Sequence, residues 1–275
     1  MRRKLMACFL GAATGLTLAA CGNSPEGTTV AADCKPAYDV TTVEEGVLTI
    51  VAPNYPPLFT YEDEELGGVD GEFFTYFAKK VCLTTKVEVL PAAGVIEAIR
   101  GGRADVAGGG WYITPDRAEI IGQSEPFYKD PPVFVSKDPS ADLDDYQDKT
   151  IGTTQGYLWV DDLQEYSGDN AKLYQSPDAV FSDVLNGRID VGLMAVAEAS
   201  FRITHNSSSG LKYEIVNPNP AISATEEPPV TNVPFVKDNA EMGAALNAAI
   251  ADFRADGGLT SALETADIDP AAGKP

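Results

Sequence analysis

The stretch GGGWYITPDRAEI, residues 108–120, carries an arginine where a helix start disfavours one. Thr114 followed by Pro115 reads as a helix N-cap with proline at the first helical position, where its missing N–H does no harm. Asp116 and Arg117 then fall in the first turn, where the helix dipole favours acids over cations. Arg117 is therefore either a solvated surface side chain or a group that joins free helix-start amides in holding an anion. A planar guanidinium fork suits a carboxylate. Little else in the chain could do chemistry. The single histidine, His205 in THNSSSG, reads as a solvated loop residue. There is no Cys/His cluster for a metal, no phosphate-binding glycine loop and no G-x-S-x-G elbow. With 41 acidic residues, no particular carboxylate pair stands out as an acid–base couple. Binding without catalysis, metal or cofactor is the expected class.

The elements that must position Arg117 alternate between strand and helix. VLTIVA (47–52) is a short apolar run before a Pro-rich loop, as a buried parallel strand would be. EFFTYFAKKVC (72–82) has apolar residues at helical spacing, KVEVL (86–90) alternates as a strand does, and VIEAIRGG (95–102) is a helix ending in glycines. This succession predicts an α/β fold with helices on both sheet faces.

An internal echo divides the chain. GGRADVAGG (101–109) and NGRIDVGLM (186–194) share Gly-Arg-x-Asp-Val, each after an amphipathic helix and before an apolar strand. Glycine would end the helix in the left-handed region, with Arg-x-Asp at the surface. The repeat suggests two similar lobes. DPPVFVSKDP (130–139) and EEPPVTNVPFVKD (226–238), both extended and Pro-bearing, read as two connections between them. The long amphipathic pattern at 239–259, capped by Asn239 and stopped by Gly257-Gly258, returns to the first lobe. Two lobes on two hinge segments enclose a cleft, where ligands tend to bind.

The chain opens Met1-Arg2-Arg3-Lys4, runs apolar from Leu5 to Ala20, and continues with Cys21. A basic start and a short apolar run describe a secretory signal, too short for an ordinary membrane span. Leu18-Ala19-Ala20-Cys21 resembles the bacterial lipobox, in which the cysteine is lipidated and becomes the mature N-terminus. The alternative is an ordinary signal peptide with a chance cysteine. Residues 21–45 read as a polar tether and N-terminal arm. The formal charge is −21, or −24 without Arg2, Arg3 and Lys4, which argues against nucleic acid or an anionic lipid surface as partner. Of four cysteines, Cys34 and Cys82 remain in the body. In an oxidising compartment they are expected to bridge, clipping the arm to a helix end, with two free thiols as the alternative.

Taken in register, GVLTIVAPNYPPLFTY, GGVDGEFFTYFAKKV, AIRGGRADVAGGGWYITPDRAEIIGQSEPFY, KTIGTTQGYLWVDDL and VLNGRIDVGLMA resemble the extracytoplasmic solute-binding proteins of ABC importers, family 3, which bind polar amino acids. The likeness covers nearly all of residues 46–268. It implies the type II periplasmic-binding-protein fold: two Rossmann-like lobes joined by hinge strands. Lobe one would comprise 46–132 plus 234–268 and lobe two 133–233, after a signal peptide over 1–20 and before a tail at 269–275. It further implies that Arg117 pairs bidentately with a ligand carboxylate, assisted by backbone groups around Gly110, Trp111 and Tyr112. Across the cleft, Thr153, Thr154 and Gln155 would complete the anion site, and Tyr55 would cover the ligand side chain. The implied partners are a carboxylate-bearing small solute and an ABC permease with its ATPase. The protein would be a monomer, lipid-anchored through Cys21 to the outer face of the bacterial cell membrane.

One position departs from the family pattern. Where α-amino-acid binders usually carry an aspartate for the ligand's ammonium, this chain has Ala195. An ammonium in a closed cleft needs an acid or a strong acceptor. Three explanations are open: the ligand lacks an α-amine; Glu198, one helical turn on, substitutes; or aromatic faces among Trp111, Tyr112, Tyr157 and Trp159 hold a cation. Two other functions are weighed beside transport. One is a sensor module that works with a separate partner; the other is a dehydratase-type enzyme on the same fold, for which no catalytic set is recognisable.

Overall fold

Val47–Ala52 is buried along almost its whole length, as an interior strand covered on both faces must be. In the computed structural model, which describes residues 30, 31 and 33–274, it pairs in parallel with Thr84–Val89 on one side and Val106–Ala107 on the other. The returning strand Pro234–Phe235 adds antiparallel to Val106–Ala107, and Gly122–Gln123 closes the edge. The expected signal segment 1–20 and the expected lipidation site Cys21 lie outside the described residues.

The second sheet repeats this order. Ile151–Thr154 is flanked in parallel by Ala171–Tyr174 and Val191–Ala195, and Pro132–Ser136 then adds antiparallel, followed by Lys212–Ile215. The two Gly-Arg-x-Asp-Val copies lead into the third strand of each sheet, Val106–Ala107 and Val191–Ala195. Gly102 and Gly187 hold φ of +62° and +66°, the left-handed exit that glycine tolerates. The aspartates then do equivalent work. Asp105 accepts from the backbone N–H of Thr49 at 2.8 Å and of Val43 at 2.7 Å, while Asp190 accepts from Thr150 N–H at 2.8 Å. Each ties its turn to the neighbouring parallel strand, Val47–Ala52 or Ile151–Thr154. The expected surface position holds for Asp190 but not for Asp105, which is buried because its carboxylate is enclosed by those two amides.

Helices cover both faces of each sheet. In lobe one, Gly68–Lys80, Ala240–Ala255 and Gly258–Thr265 share one core, where the Phe73 ring meets Phe74, Phe77, Phe127 and Phe253 with centroids 4.9–6.0 Å apart. Ala92–Arg100 packs on the other face through Val95 and Ile99 against Val51. Asn239 caps the long C-terminal helix by accepting Met242 N–H at 3.0 Å. Gly257, at φ +80°, ends that run, and a further short helix comes after it that the pattern at 239–259 did not announce.

The crossings between lobes are tighter than the Pro-bearing segments suggest. Pro132–Ser136 is already an interior strand of lobe two, with proline tolerated as its first residue, and Pro234–Phe235 is already in the lobe-one sheet. Between them the two crossings run side by side, with Lys129 bridged to Val230 and Thr231–Asn232 paired to Trp111–Tyr112.

The N-terminal arm docks on lobe one. Tyr38 donates to Asp252, Thr41 to Glu241, and Cys34 is disulfide-bonded to Cys82, with the two Cα atoms 5.9 Å apart. Closing a loop across 48 residues restricts the unfolded chain by about 2–4 kcal/mol. Cys82→Ser should therefore lower the melting temperature by roughly 5–15 °C in a calorimetric scan. Reduction of the wild type should reproduce the loss.

Candidate functional site

Arg117 lies in a single helical turn, Pro115–Ala118, capped by Thr114 as its sequence implies. The cap itself uses the amide that an anion would need: Arg117 N–H donates to Thr114 Oγ1 at 3.2 Å. Four residues also carry little of a helix dipole. The expectation that helix-start amides share an anion with Arg117 is corrected accordingly, and the guanidinium itself is the group left to bind. Its Nη1 donates to the Tyr112 carbonyl at 2.7 Å, and its Cζ lies 5.0 Å from the centroid of the Trp111 ring. The indole is fixed in turn by Nε1 donating to Gly108 O at 2.8 Å. Burial lowers the Arg117 pKa from its usual value, although a guanidinium remains charged in proteins. Arg117 makes no ion pair among the described residues.

The loop before Trp111 is held from beneath by a residue the sequence did not single out. Asp70, buried on helix Gly68–Lys80, accepts Gly109 N–H at 2.6 Å, Gly110 N–H at 3.0 Å and Tyr128 O–H at 3.0 Å. Burial raises its pKa, and the two amides and the phenol oppose that shift. Gly110 must be glycine: φ is +70°, and a Cβ would come within 2.4 Å of Leu58 Cδ1. Its N–H is therefore committed to Asp70, and the expected assistance of Gly110 to an anion is also corrected.

A cavity of about 400 Å³ opens between the lobes in front of Arg117. Lobe one lines it with Tyr55, Gly110, Trp111, Tyr112 and Arg117, and lobe two with Thr154, Gln155, Tyr157 and Gln175. Asp130, on the crossing segment, lines it too. Of the residues expected from sequence, this brings together Arg117, Tyr112, Trp111, Gly110, Tyr55, Thr154 and Gln155. Thr154 presents a buried hydroxyl that makes no hydrogen bond of ordinary geometry among the described residues, only a looser approach to Tyr157. Gln155 faces the cavity, but its N–H is taken by Tyr174 O at 2.9 Å.

Four expected residues lie elsewhere. Thr153 is fully buried; its Oγ1 donates to Leu193 O and accepts from Trp159 Nε1, both at 2.8 Å, so it belongs to the lobe-two core. Ala195 is enclosed within its sheet, paired with Pro132. Glu198 stands behind the cavity wall, where its Oε2 accepts from Tyr55 O–H and Tyr157 O–H, both at 2.6 Å, while its Oε1 accepts Ala195 N–H at 3.1 Å. Trp159, a candidate cleft aromatic by sequence, is also core, because its indole N–H needs Thr153. His205 ends the helix Val196–His205 rather than lying in a loop, and borders a separate cavity of about 230 Å³ beside Pro56 and Pro57.

The Tyr55–Glu198–Tyr157 set spans the cleft, since Tyr55 belongs to lobe one and the other two to lobe two. Burial first, and the Glu198 charge next, raise both phenols well above the usual tyrosine range, so they act as donors. Asp130 is as enclosed as Glu198. Its Oδ1 accepts Ala197 N–H at 3.0 Å and its Oδ2 accepts Tyr112 O–H at 3.1 Å. Burial, opposed by the Ala197 amide and reinforced by Glu198, pushes Asp130 up to about 7.

A guanidinium without a carboxylate partner, flanked by aromatic rings in a cavity between two lobes, is suited to hold a small anion. Comparison with known proteins places the chain in a family. The family profile of bacterial extracellular solute-binding proteins, family 3, matches residues 47–265. An arginine-binding periplasmic protein of Mannheimia haemolytica is 30% identical over 156 residues, which is 55% of this chain and 63% of that protein. A probable histidine-binding protein of Campylobacter jejuni is 26% identical over 159 residues, 57% of this chain and 59% of that protein. The chain thus spans about three-fifths of the length of these two relatives. Among solved structures, the amino acid ABC transporter substrate-binding protein AbpA of Streptococcus pneumoniae, bound to L-arginine, superposes with a TM-score of 0.68 at 19% identity, covering 81% of this chain and 95% of that one. The solute receptor for L-cysteine of Neisseria gonorrhoeae gives 0.65 at 23% identity, covering 82% and 93%. The two-lobed type II periplasmic-binding fold is common to them, and the chain belongs to the bacterial extracellular solute-binding proteins of family 3.

Proposed function

We propose that this protein is the substrate-binding component of an ABC importer and captures a small amino-acid-like solute by its carboxylate on Arg117. The observation that carries this reading is the half-buried Arg117 guanidinium, which faces the inter-lobe cavity and, among the described residues, has the Tyr112 carbonyl and the Trp111 ring as partners and no carboxylate. A carboxylate entering there gains charge-assisted hydrogen bonds in a partly desolvated site. The arginine- and histidine-binding relatives support the same solute class. Thr154, whose hydroxyl approaches Tyr157 only loosely, meets the solute from lobe two. Closure occurs because the solute has better contacts when both lobes touch it. The closed form docks on the permease, which an ATPase drives.

Cys21 carries lipid and anchors the chain to the outer face of the membrane; more than one acyl chain is needed for a firm hold. Cys21→Ala should shift the protein from the membrane fraction to the soluble fraction.

Arg117→Ala should weaken binding of a carboxylate solute about 100-fold or more by calorimetry, the cost of losing a buried charge-assisted pair. Unchanged affinity would reject the site. Tyr55→Phe removes the lobe-one donor to Glu198 and should weaken the same solute about tenfold, the worth of a hydrogen bond to a charged group. An unaffected affinity would show that this contact does not stabilise closure.

A further inference from the structure

The charges around the cavity pose a question that Arg117 alone does not answer. A solute with only a carboxylate would leave Asp130 enclosed without a cation, and among the described residues no other acid lines the cavity to meet one. Glu198 cannot fill that role directly, because the Tyr55 and Tyr157 hydroxyls stand between it and the cavity. Asp130 can. It lines the same cavity as Arg117, and each of its carboxylate oxygens accepts a single hydrogen bond, which leaves acceptor capacity unused.

Tyr112 also sets how far apart the two charges are. Arg117 is bonded to its main-chain carbonyl, and Asp130 to its phenol hydroxyl at the far end of the side chain. The cation site and the anion site are therefore offset by the length of a tyrosine, more than the one-carbon gap between an α-carboxylate and an α-ammonium. Resting on the reading that the solute carboxylate binds Arg117, we propose that Asp130 is the solute's cation-binding residue, selecting molecules whose cationic group lies several bonds from the carboxylate.

This assignment has a proton signature. Tyr112 donates to Asp130, the charges that act on it from nearby are Glu198 and Asp70, neither a cation, and burial pushes its carboxyl up to about 7. A cation beside it favours the ionised form and lowers that value, so binding releases a proton near neutral pH. Affinity then rises with pH, by up to tenfold per unit below about pH 7, and levels off above it.

The test is calorimetry of the full mature protein with L-arginine, L-lysine, L-glutamine and L-alanine, in buffers of different ionisation enthalpy. The expected result is tighter binding of L-arginine or L-lysine than of L-glutamine, with proton release near pH 7. In Asp130→Asn, that release should vanish and affinity for the cationic solute should fall at least 30-fold, while glutamine binding changes less than threefold. Because proton release is read on the wild type, the test does not depend on the variant's folding. Binding of L-arginine and L-lysine without proton release, or L-glutamine binding as tightly as both, overturns the Asp130 assignment while the carboxylate site on Arg117 stands. If none of the four binds, both the assignment and the reading beneath it fail.

Discussion

The three hydrogen bonds that Asp70 accepts are the constraint on which the site depends. Two come from consecutive amides of a glycine loop and one from a buried tyrosine of the crossing segment, so a single carboxylate fastens helix, loop and hinge together. A carboxylate inside a core is costly unless its lone pairs are filled, and here each donor also gains a fixed direction from the arrangement. The loop can bind Asp70 so closely only because Gly109 and Gly110 adopt positive φ. The residues just after the loop are thereby aimed: Trp111 is locked to Gly108, Arg117 lies over Trp111, and Tyr112 presents its carbonyl to one charged group and its hydroxyl to another.

The repeat explains how two lobes with little shared sequence arrive at one topology. In both copies, a helix ends on a left-handed glycine, an aspartate turns back to hold the neighbouring parallel strand, and an apolar strand enters the third place in the sheet. Only the degree of enclosure differs. Asp105 is covered because the N-terminal arm passes over it and donates from Val43, whereas Asp190 has no such cover. The motif is thus a folding device, and the binding chemistry is carried by residues outside it.

Local chemistry made part of this legible from sequence. The Thr114-Pro115 cap, the Asn239 cap, the helix-ending glycines and the buried strand at 47–52 each rest on interactions within a few residues, and all are present. Arg117 stood out because a cation is out of place in a first turn. Asp70 and Asp130 did not stand out, since each is one acid among 41 and its donors lie 18 to 67 residues away. Thr153 and Trp159, only six residues apart, satisfy one another inside lobe two, a side-chain pairing that strand and turn patterns do not encode. For the remaining acid, distance is the reason. Glu198 was visible as an acid one turn past Ala195, but the two tyrosines that screen it come from distant segments.

Among the described residues, the arm that precedes the first strand is fastened only to one half of the molecule. Cys34 is bonded to Cys82, Tyr38 to Asp252, Thr41 to Glu241 and Val43 to Asp105, every one of them in lobe one. A pull along the leading segment would therefore load lobe one and not the hinge. Lobe two is left as the swinging jaw, so tension in a leash would reorient the molecule without prising it open.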